Sequence, residues 1–208
     1  MGEGAPAGAQ PRLTLATKVT LVRLLGIPVY VGAIAYYRLS LSAGAPNEAY
    51  RVAALGIFLA GALTDALDGF LARSRGEVTR LGQILDPLAD KSMLMAAMLT
   101  LTAPSLPALH PQIPLWFTLA VISRDVLLAV GAYVIHHLTG HVEVRPCLTG
   151  KLATALQMTC VVWVLADFAP APFHGLAMSA VAFTIWSGVR YVADGWRQLA
   201  HPPRRPAG

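Results

Sequence analysis

The sequence predicts an all-α integral membrane protein with six transmembrane helices and both termini in the cytoplasm. Three observations predict it: a composition too apolar for a water-facing surface, six apolar stretches of membrane-spanning length, and a one-sided distribution of lysine and arginine. Of the 208 residues, 55% are hydrophobic and only 13% are charged, and the mean hydropathy is +0.56. Soluble domains carry about 25% charged residues, so this chain lacks the polar residues to cover a soluble globule. Its length accommodates spans of roughly 20 residues with short connections and leaves no room for a sizeable soluble domain.

The apolar stretches run over 20–37, 52–73, 84–105, 112–137, 149–168 and 174–195. Helices are expected throughout, because unpaired backbone groups cannot face lipid and no barrel-like alternation is visible. Ahead of the first stretch, ATKVTLVRLL (16–25) alternates basic and apolar residues. It fits either a short interfacial helix before the first span or simply the opening turns of that span. The second stretch carries Asp65 and Asp68 toward its end, and the third carries Asp86 and Asp90 near its start. The fourth contains Ser123-Arg124-Asp125, the fifth opens on Gly150-Lys151, and the sixth closes on Arg190 and Asp194, read as a local i, i+4 pair. Proline and glycine fall mainly between the stretches, at Gly44, Pro46, Pro104, Pro107, Pro111, Gly140, Pro170 and Pro172, and mark turns. Residues 1–11 and 199–208 read as disordered tails, the second of them basic, around a membrane domain over 12–198. The start lacks the basic, then apolar, pattern of a cleaved signal peptide.

Orientation follows from the basic residues. Arg12, Lys18, Arg23, Arg73, Arg75, Arg80, Arg145, Lys151, Arg197, Arg204 and Arg205 fall on one side, against Arg38 and Arg51 in the first loop of the other. That asymmetry assigns the richer side to the cytoplasm, and an even number of spans agrees with it. The net charge of +5 and pI near 9.6 are spread over connections rather than gathered on one helix face. The anionic partner is therefore the membrane surface and not nucleic acid. Cys147 and Cys160 are too few for a disulfide framework and read as structural thiols. His136, His137 and His141 read as solvated, and Trp116, Trp163, Trp186 and Trp196 as packing or interface anchors.

The chemistry is concentrated in DALDGFLARSRGEVTRLGQILDPLAD, residues 65–90. A charged group in a span costs about 2.5–3.5 kcal/mol on insertion scales, so four carboxylates in two consecutive spans need a reason. Asp65 and Asp68 are i, i+3, and Asp86 and Asp90 are i, i+4, so each pair shares a helix face. The short connection between these helices makes them antiparallel neighbours, and the four acids converge near the cytoplasmic end. Like charges in a low-dielectric site must be compensated, either by Lys91, Arg124 and each other or by hard divalent cations. An all-oxygen donor set favours Mg²⁺, Mn²⁺ or Ca²⁺ over zinc. Gly69, Ala72 and Gly82 are small where a ligand would approach the backbone, and Arg73 suits a phosphate or a carboxylate at the water boundary.

The segment reads D-x2-D-G-x2-A-R-x8-G-x3-D-x3-D, with all eight positions of the pattern in place over 26 residues. This resembles the signature of the CDP-alcohol phosphatidyltransferases, and the likeness extends over the whole chain. The resemblance implies two divalent metal ions, Mg²⁺ or Mn²⁺, bound by Asp65, Asp68, Asp86 and Asp90, with Asp90 also the general base. It implies a cytidine nucleotide site lined by Asp68, Gly69, Ala72, Arg73 and Gly82, with CDP-diacylglycerol and an alcohol acceptor as substrates. It further implies a homodimer in a bacterial inner membrane, with the active site facing the cytoplasm. Upstream, relatives carry Asn-x2-Thr-x2-Arg; here Thr20 and Arg23 match and Thr17 replaces the amide.

The motif specifies the donor but not the acceptor. Arg124, Arg145 and Lys151 are the candidates for binding an acceptor phosphate, while Arg124 also fits a buried ion pair with Asp125 or a motif carboxylate, and Lys151 fits snorkelling to headgroups. Glycerol-phosphate users in the family show Arg-Glu here with a later arginine; this chain has Arg-Asp, and Ala132 at the later place. The run ISRDVLL and the following Gly-Lys are similar to cardiolipin synthases of the family. The expected acceptor is thus glycerol-type: phosphatidylglycerol, giving cardiolipin, or glycerol 3-phosphate, giving phosphatidylglycerophosphate, with inositol phosphate or serine as the alternative. Intramembrane acids also mark ion and solute carriers, but a carrier explains neither the arginine nor the small residues at fixed offsets.

Overall fold

The structure, a computed structural model, describes residues 15–75, 80–103, 109, 111–139 and 148–200, with side chains at 22–64, 91–103, 109, 111–135, 137–138 and 148–197. Six helices account for nearly all of it: α1 (Leu15–Ser42), α2 (Glu48–Arg75), α3 (Arg80–Thr102), α4 (Leu115–Thr139), α5 (Leu148–Leu165) and α6 (Pro170–Ala200). Among the described residues there is no strand. Each apolar stretch of the sequence yields one helix, with ends set by local chemistry. α1 runs unbroken from Leu15, so ATKVTLVRLL forms its opening turns and no separate interfacial helix precedes it among the described residues. α3 stops at Thr102, short of the apolar stretch, because Ala103 precedes a proline and is biased away from helical geometry. α6 begins with Pro170, whose missing N–H is no loss at the first helical position.

Among the described residues, four helical segments are long and apolar enough to cross a membrane: Val22–Ser42, Leu115–Ile135, Leu148–Leu165 and Pro170–Arg197. Lys91–Thr102 of α3 is a shorter apolar stretch. α1 packs against α2 and α3, while α6 packs against α4 and α5; α5 also touches α2 and α3. The interior is a continuous apolar cluster that includes Tyr30 and Ile34 of α1, Phe58 of α2, Met98 of α3, Phe117 of α4 and Val161 of α5. Many large apolar side chains face outward instead, among them Leu63, Val130 and Val189, as lipid-facing helices require. Several polar side chains inside find partners across helices. The Thr102 and Thr118 hydroxyls are 2.6 Å apart, and Gln157 Nε2 donates to Thr184 Oγ1 at 2.8 Å.

Two helix ends close in the same way. After α1, the Gly44 N–H donates to Leu41 O and the Ala45 N–H to Ser40 O, each at 3.1 Å, with Gly44 at φ 70°. After α5, the Asp167 N–H donates to Val164 O and the Phe168 N–H to Trp163 O, each at 3.2 Å, with Asp167 at φ 58°. Both are Schellman closures, and in the second the expected apolar contact is the edge-to-face pair of Trp163 and Phe168, 5.2 Å between centroids.

Arg38 and Arg51, read from the sequence as basic residues of an outer loop, lie within α1 and α2. Arg38 is fully buried, donating from Nη2 to Leu101 O at 3.0 Å and from Nη1 to Ala103 O at 2.9 Å. Arg51 donates from Nη1 to Leu165 O at 3.0 Å and pairs with Glu48 at 2.6 Å. Each guanidinium thus satisfies carbonyls left open at the end of another helix, α3 or α5, where the helix dipole also favours a cation.

Candidate active site

α2 carries Asp65, Asp68, Gly69, Ala72 and Arg73 in its last turns, and α3 carries Gly82, Asp86 and Asp90 in its first turns. The backbone at these positions is helical, so the i, i+3 and i, i+4 spacings of the acids are realised as helix spacings. α2 and α3 are in contact, and only residues 76–79 separate them in the chain. The side chains at 65–75 and 80–90 lie outside the described residues, and so does Arg145. Among the described residues no group of three or more metal-ligating side chains occurs; the four aspartates are not within that set. Their donor chemistry, carboxylate oxygen only, fits a hard divalent cation.

Two groups of described residues flank these turns. On α1, Arg23 is 6% exposed and lies against α2, where a Cβ placed on Gly61 would stand 3.8 Å from its Cγ. Gly61 is one turn ahead of Asp65, so the matching arginine of the upstream Thr-x2-Thr-x2-Arg pattern comes to the part of α2 that leads into the motif.

The second group centres on Asp125 of α4. Its Oδ1 accepts from Lys91 Nζ at 3.1 Å and from Arg124 Nη1 at 2.8 Å. Lys91 directly follows Asp90 in the chain. Arg124 also donates from Nε to Ser187 Oγ of α6 at 3.2 Å and stands 5.8 Å from the centre of the Tyr191 ring. A Cβ on Gly150 would come within 3.2 Å of Arg124 Nη2, so α5 begins directly against the guanidinium. Lys151, the next residue, is exposed.

The structure sets Arg124 against Gly150 at the start of α5. The described ion pairs of Lys91 and Arg124 go to Asp125. Sequence reasoning did not assign Asp125 this bridging role. Its adjacency to Arg124 was visible, but its reach to Lys91 joins positions 34 residues apart and had no local signal. The expected pair of Arg190 with Asp194 is not formed: Asp194 faces Arg197 at 3.8 Å, and Arg190 is exposed. Both partners prefer water at this helix end, and the i, i+3 arginine lies nearer the terminus. Cys160 is buried and unbridged, as a structural thiol should be.

The profile of the "CDP-alcohol phosphatidyltransferase" family matches residues 13–186. A "Probable phosphatidylglycerophosphate synthase" of Mycobacterium tuberculosis is 30% identical over 201 residues, covering 94% of this chain and 88% of the relative. A "CDP-diacylglycerol--glycerol-3-phosphate 3-phosphatidyltransferase" of Bacillus subtilis is 32% identical over 195 residues, covering 89% and 96%. A "Cardiolipin synthase (CMP-forming)" of Oryza sativa is 34% identical over 213 aligned positions, covering 95% of this chain and 62% of that protein.

Proposed function

The chain belongs to the CDP-alcohol phosphatidyltransferase family, and from that premise we propose that it moves the phosphatidyl group of CDP-diacylglycerol onto a glycerol-type alcohol, releasing CMP. The observation that carries this reading is the eight-position motif over residues 65–90, split between the end of α2 and the start of α3. The acceptor is glycerol 3-phosphate, as in the name of the Bacillus subtilis relative, or phosphatidylglycerol. The second acceptor is favoured by the ISRDVLL run with the following Gly-Lys, by Ala132, and by the likeness to the Oryza sativa enzyme.

In this reading the reaction joins the acceptor hydroxyl oxygen to the lipid-side phosphorus and breaks the bond from that phosphorus to the CMP oxygen. Asp90 takes the hydroxyl proton as general base. Asp68, Gly69, Ala72, Arg73 and Gly82 hold the cytidine nucleotide, the small residues letting it lie close to helix backbone. Asp65, Asp68, Asp86 and Asp90 would hold two divalent ions, Mg²⁺ or Mn²⁺, which when bound neutralise the pyrophosphate and the charge developing on departing CMP. Arg124 and Lys151, with Arg145, present cations to an acceptor phosphate. Asp125 keeps Arg124 and Lys91 charged and in place.

All six helices cross the bilayer in this reading, with the motif on the cytoplasmic side of a bacterial inner membrane. α2 and α3, at 28 and 23 residues, are long enough to do so. The concentration of eleven basic residues toward one side supports that orientation. The working unit is a homodimer. The test is to supply purified protein with CDP-diacylglycerol and Mg²⁺ or Mn²⁺, and with glycerol 3-phosphate or phosphatidylglycerol separately, reading CMP and lipid product. Metal-dependent CMP release with either acceptor is expected, and the productive acceptor assigns the enzyme. Solute flux across the membrane without CMP release would overturn the reading.

A further inference from the structure

A groove of about 770 Å³ opens between α4 and α6. Its walls are apolar, with Leu127 on one side and Ile185, Val189 and Val192 on the other. Small residues make it concave: Ala120 and Ala193 at its edges, and the buried Gly188 at its floor. A Cβ on Gly188 would already touch the Arg124 stem at 3.5 Å. Arg124 contributes that stem, while its guanidinium is engaged by Asp125 and Ser187.

The groove follows α6 from Thr184 to Trp196 and Arg197, about 20 Å at 1.5 Å per residue. One leaflet of a hydrocarbon core about 30 Å thick is roughly 15 Å deep, so the groove matches one acyl chain and reaches the interface at its Arg197 end. No carboxylate lines it, whereas two arginines do. Arg197 is 81% exposed, and its contact with Asp194 is long at 3.8 Å, too weak an exposed pair to neutralise it. A tryptophan and an arginine side by side at a helix end are the usual anchors for headgroups.

We propose that the α4–α6 groove is a binding site for an anionic diacyl phospholipid of the leaflet read here as cytoplasmic, with one acyl chain along Ile185, Val189 and Val192 and the headgroup phosphate at Arg197. The occupant is a lipid because an apolar furrow within the bilayer is filled by a chain, and it is anionic because the exposed charge at its headgroup end, Arg197, is cationic. The groove lies apart from the motif on α2 and α3, and its headgroup end at Arg197 is ten residues along α6 from Ser187, where the guanidinium of Arg124, read above as an acceptor contact, is held.

Trp196 reports on it directly. The full-length protein is placed in phosphatidylcholine vesicles containing a minor share of lipid brominated near the carbonyl end of its chains. The brominated lipid is either phosphatidylglycerol or phosphatidylcholine, and Trp196 quenching is taken as the difference from Trp196→Phe. About five-fold stronger apparent binding of the phosphatidylglycerol is expected, the preference one basic residue confers at a membrane surface. Arg197→Gln, an exposed change, is expected to abolish that preference, and Ala193→Phe to reduce quenching by both lipids. Equal quenching by the two headgroups, or a preference unchanged in Arg197→Gln, overturns the proposal. So does an Ala193→Phe protein whose main change is a lower oligomer mass, which would assign the groove to a second copy of the chain. None of these readings depends on turnover.

Discussion

Lys91 of α3 and Asp125 of α4 meet at 3.1 Å, and the same Asp125 oxygen holds Arg124 at 2.8 Å. One carboxylate therefore ties the residue that follows Asp90 to the arginine on which α5 and α6 converge. The side chains of Arg124 and Asp125 are only 12% and 18% exposed, while Lys91 is 52% exposed. The part-buried members of the triad are Arg124 and Asp125, and Lys91 is its outer rim.

Asp125→Ala should therefore destabilise the protein by about 1–3 kcal/mol, the cost of leaving a shielded donor without its partner. Thermal unfolding in detergent measures this. Turnover by the folded fraction should fall about ten-fold, as for residues that orient a metal site from behind its ligands. An Asp125→Ala protein with unchanged stability and turnover would remove the bridge from the account.

Asp90→Asn should lower kcat by about 10²–10⁴-fold, the contribution of a positioned general base, while cytidine nucleotide binding in the presence of metal persists. Initial rates of CMP release and a separate measurement of donor affinity check the two halves. Chelation of divalent ions should stop turnover in the unmodified protein, and Mg²⁺ or Mn²⁺ should restore it.

Arg38→Met should leave Leu101 O and Ala103 O without their donors. The expected cost is about 1.5–3 kcal/mol for each bond from a charged donor, reduced where the methionine packs well. The motif aspartate Asp90 is eleven residues from Leu101 on α3, so specific activity of the folded fraction should stay near normal. A large loss of activity without loss of stability would show that the cap reports to the site.

The two left-handed residues should respond differently to substitution. Nothing lies within 4 Å of a Cβ added to Gly44, so Gly44→Ala tests backbone conformation alone and should cost about 1–2 kcal/mol. Asp167→Gly should be nearly neutral or slightly stabilising, since it removes a Cβ at φ 58° and only a 3.9 Å contact with Arg51. Urea or thermal titrations that ranked the two in the opposite order would contradict the closure described.

What the sequence by itself determined lies within short range along the chain. Helix positions follow from runs of apolar residues and from Gly44, Pro104 and Pro170, because hydrogen bonding in a helix is local and lipid leaves the backbone no alternative. The motif is legible for the same reason: Asp65 with Asp68, and Asp86 with Asp90, are spaced by one turn, and a four-residue link joins their helices. Tertiary structure decided what depends on contacts between distant positions. Arg38 looked like a loop charge and is instead a buried cap on a helix 63 residues away. Arg51 closes α5 from 114 residues away. Asp194 turned to Arg197 rather than Arg190. Asp125 ties α3 to α4, and the α4–α6 groove is lined by Ala120 of α4 and by Gly188 and Ala193 of α6, positions far apart in the chain. A charge in a sequence carries its cost but not its partner, and in a low-dielectric interior the partner decides its role.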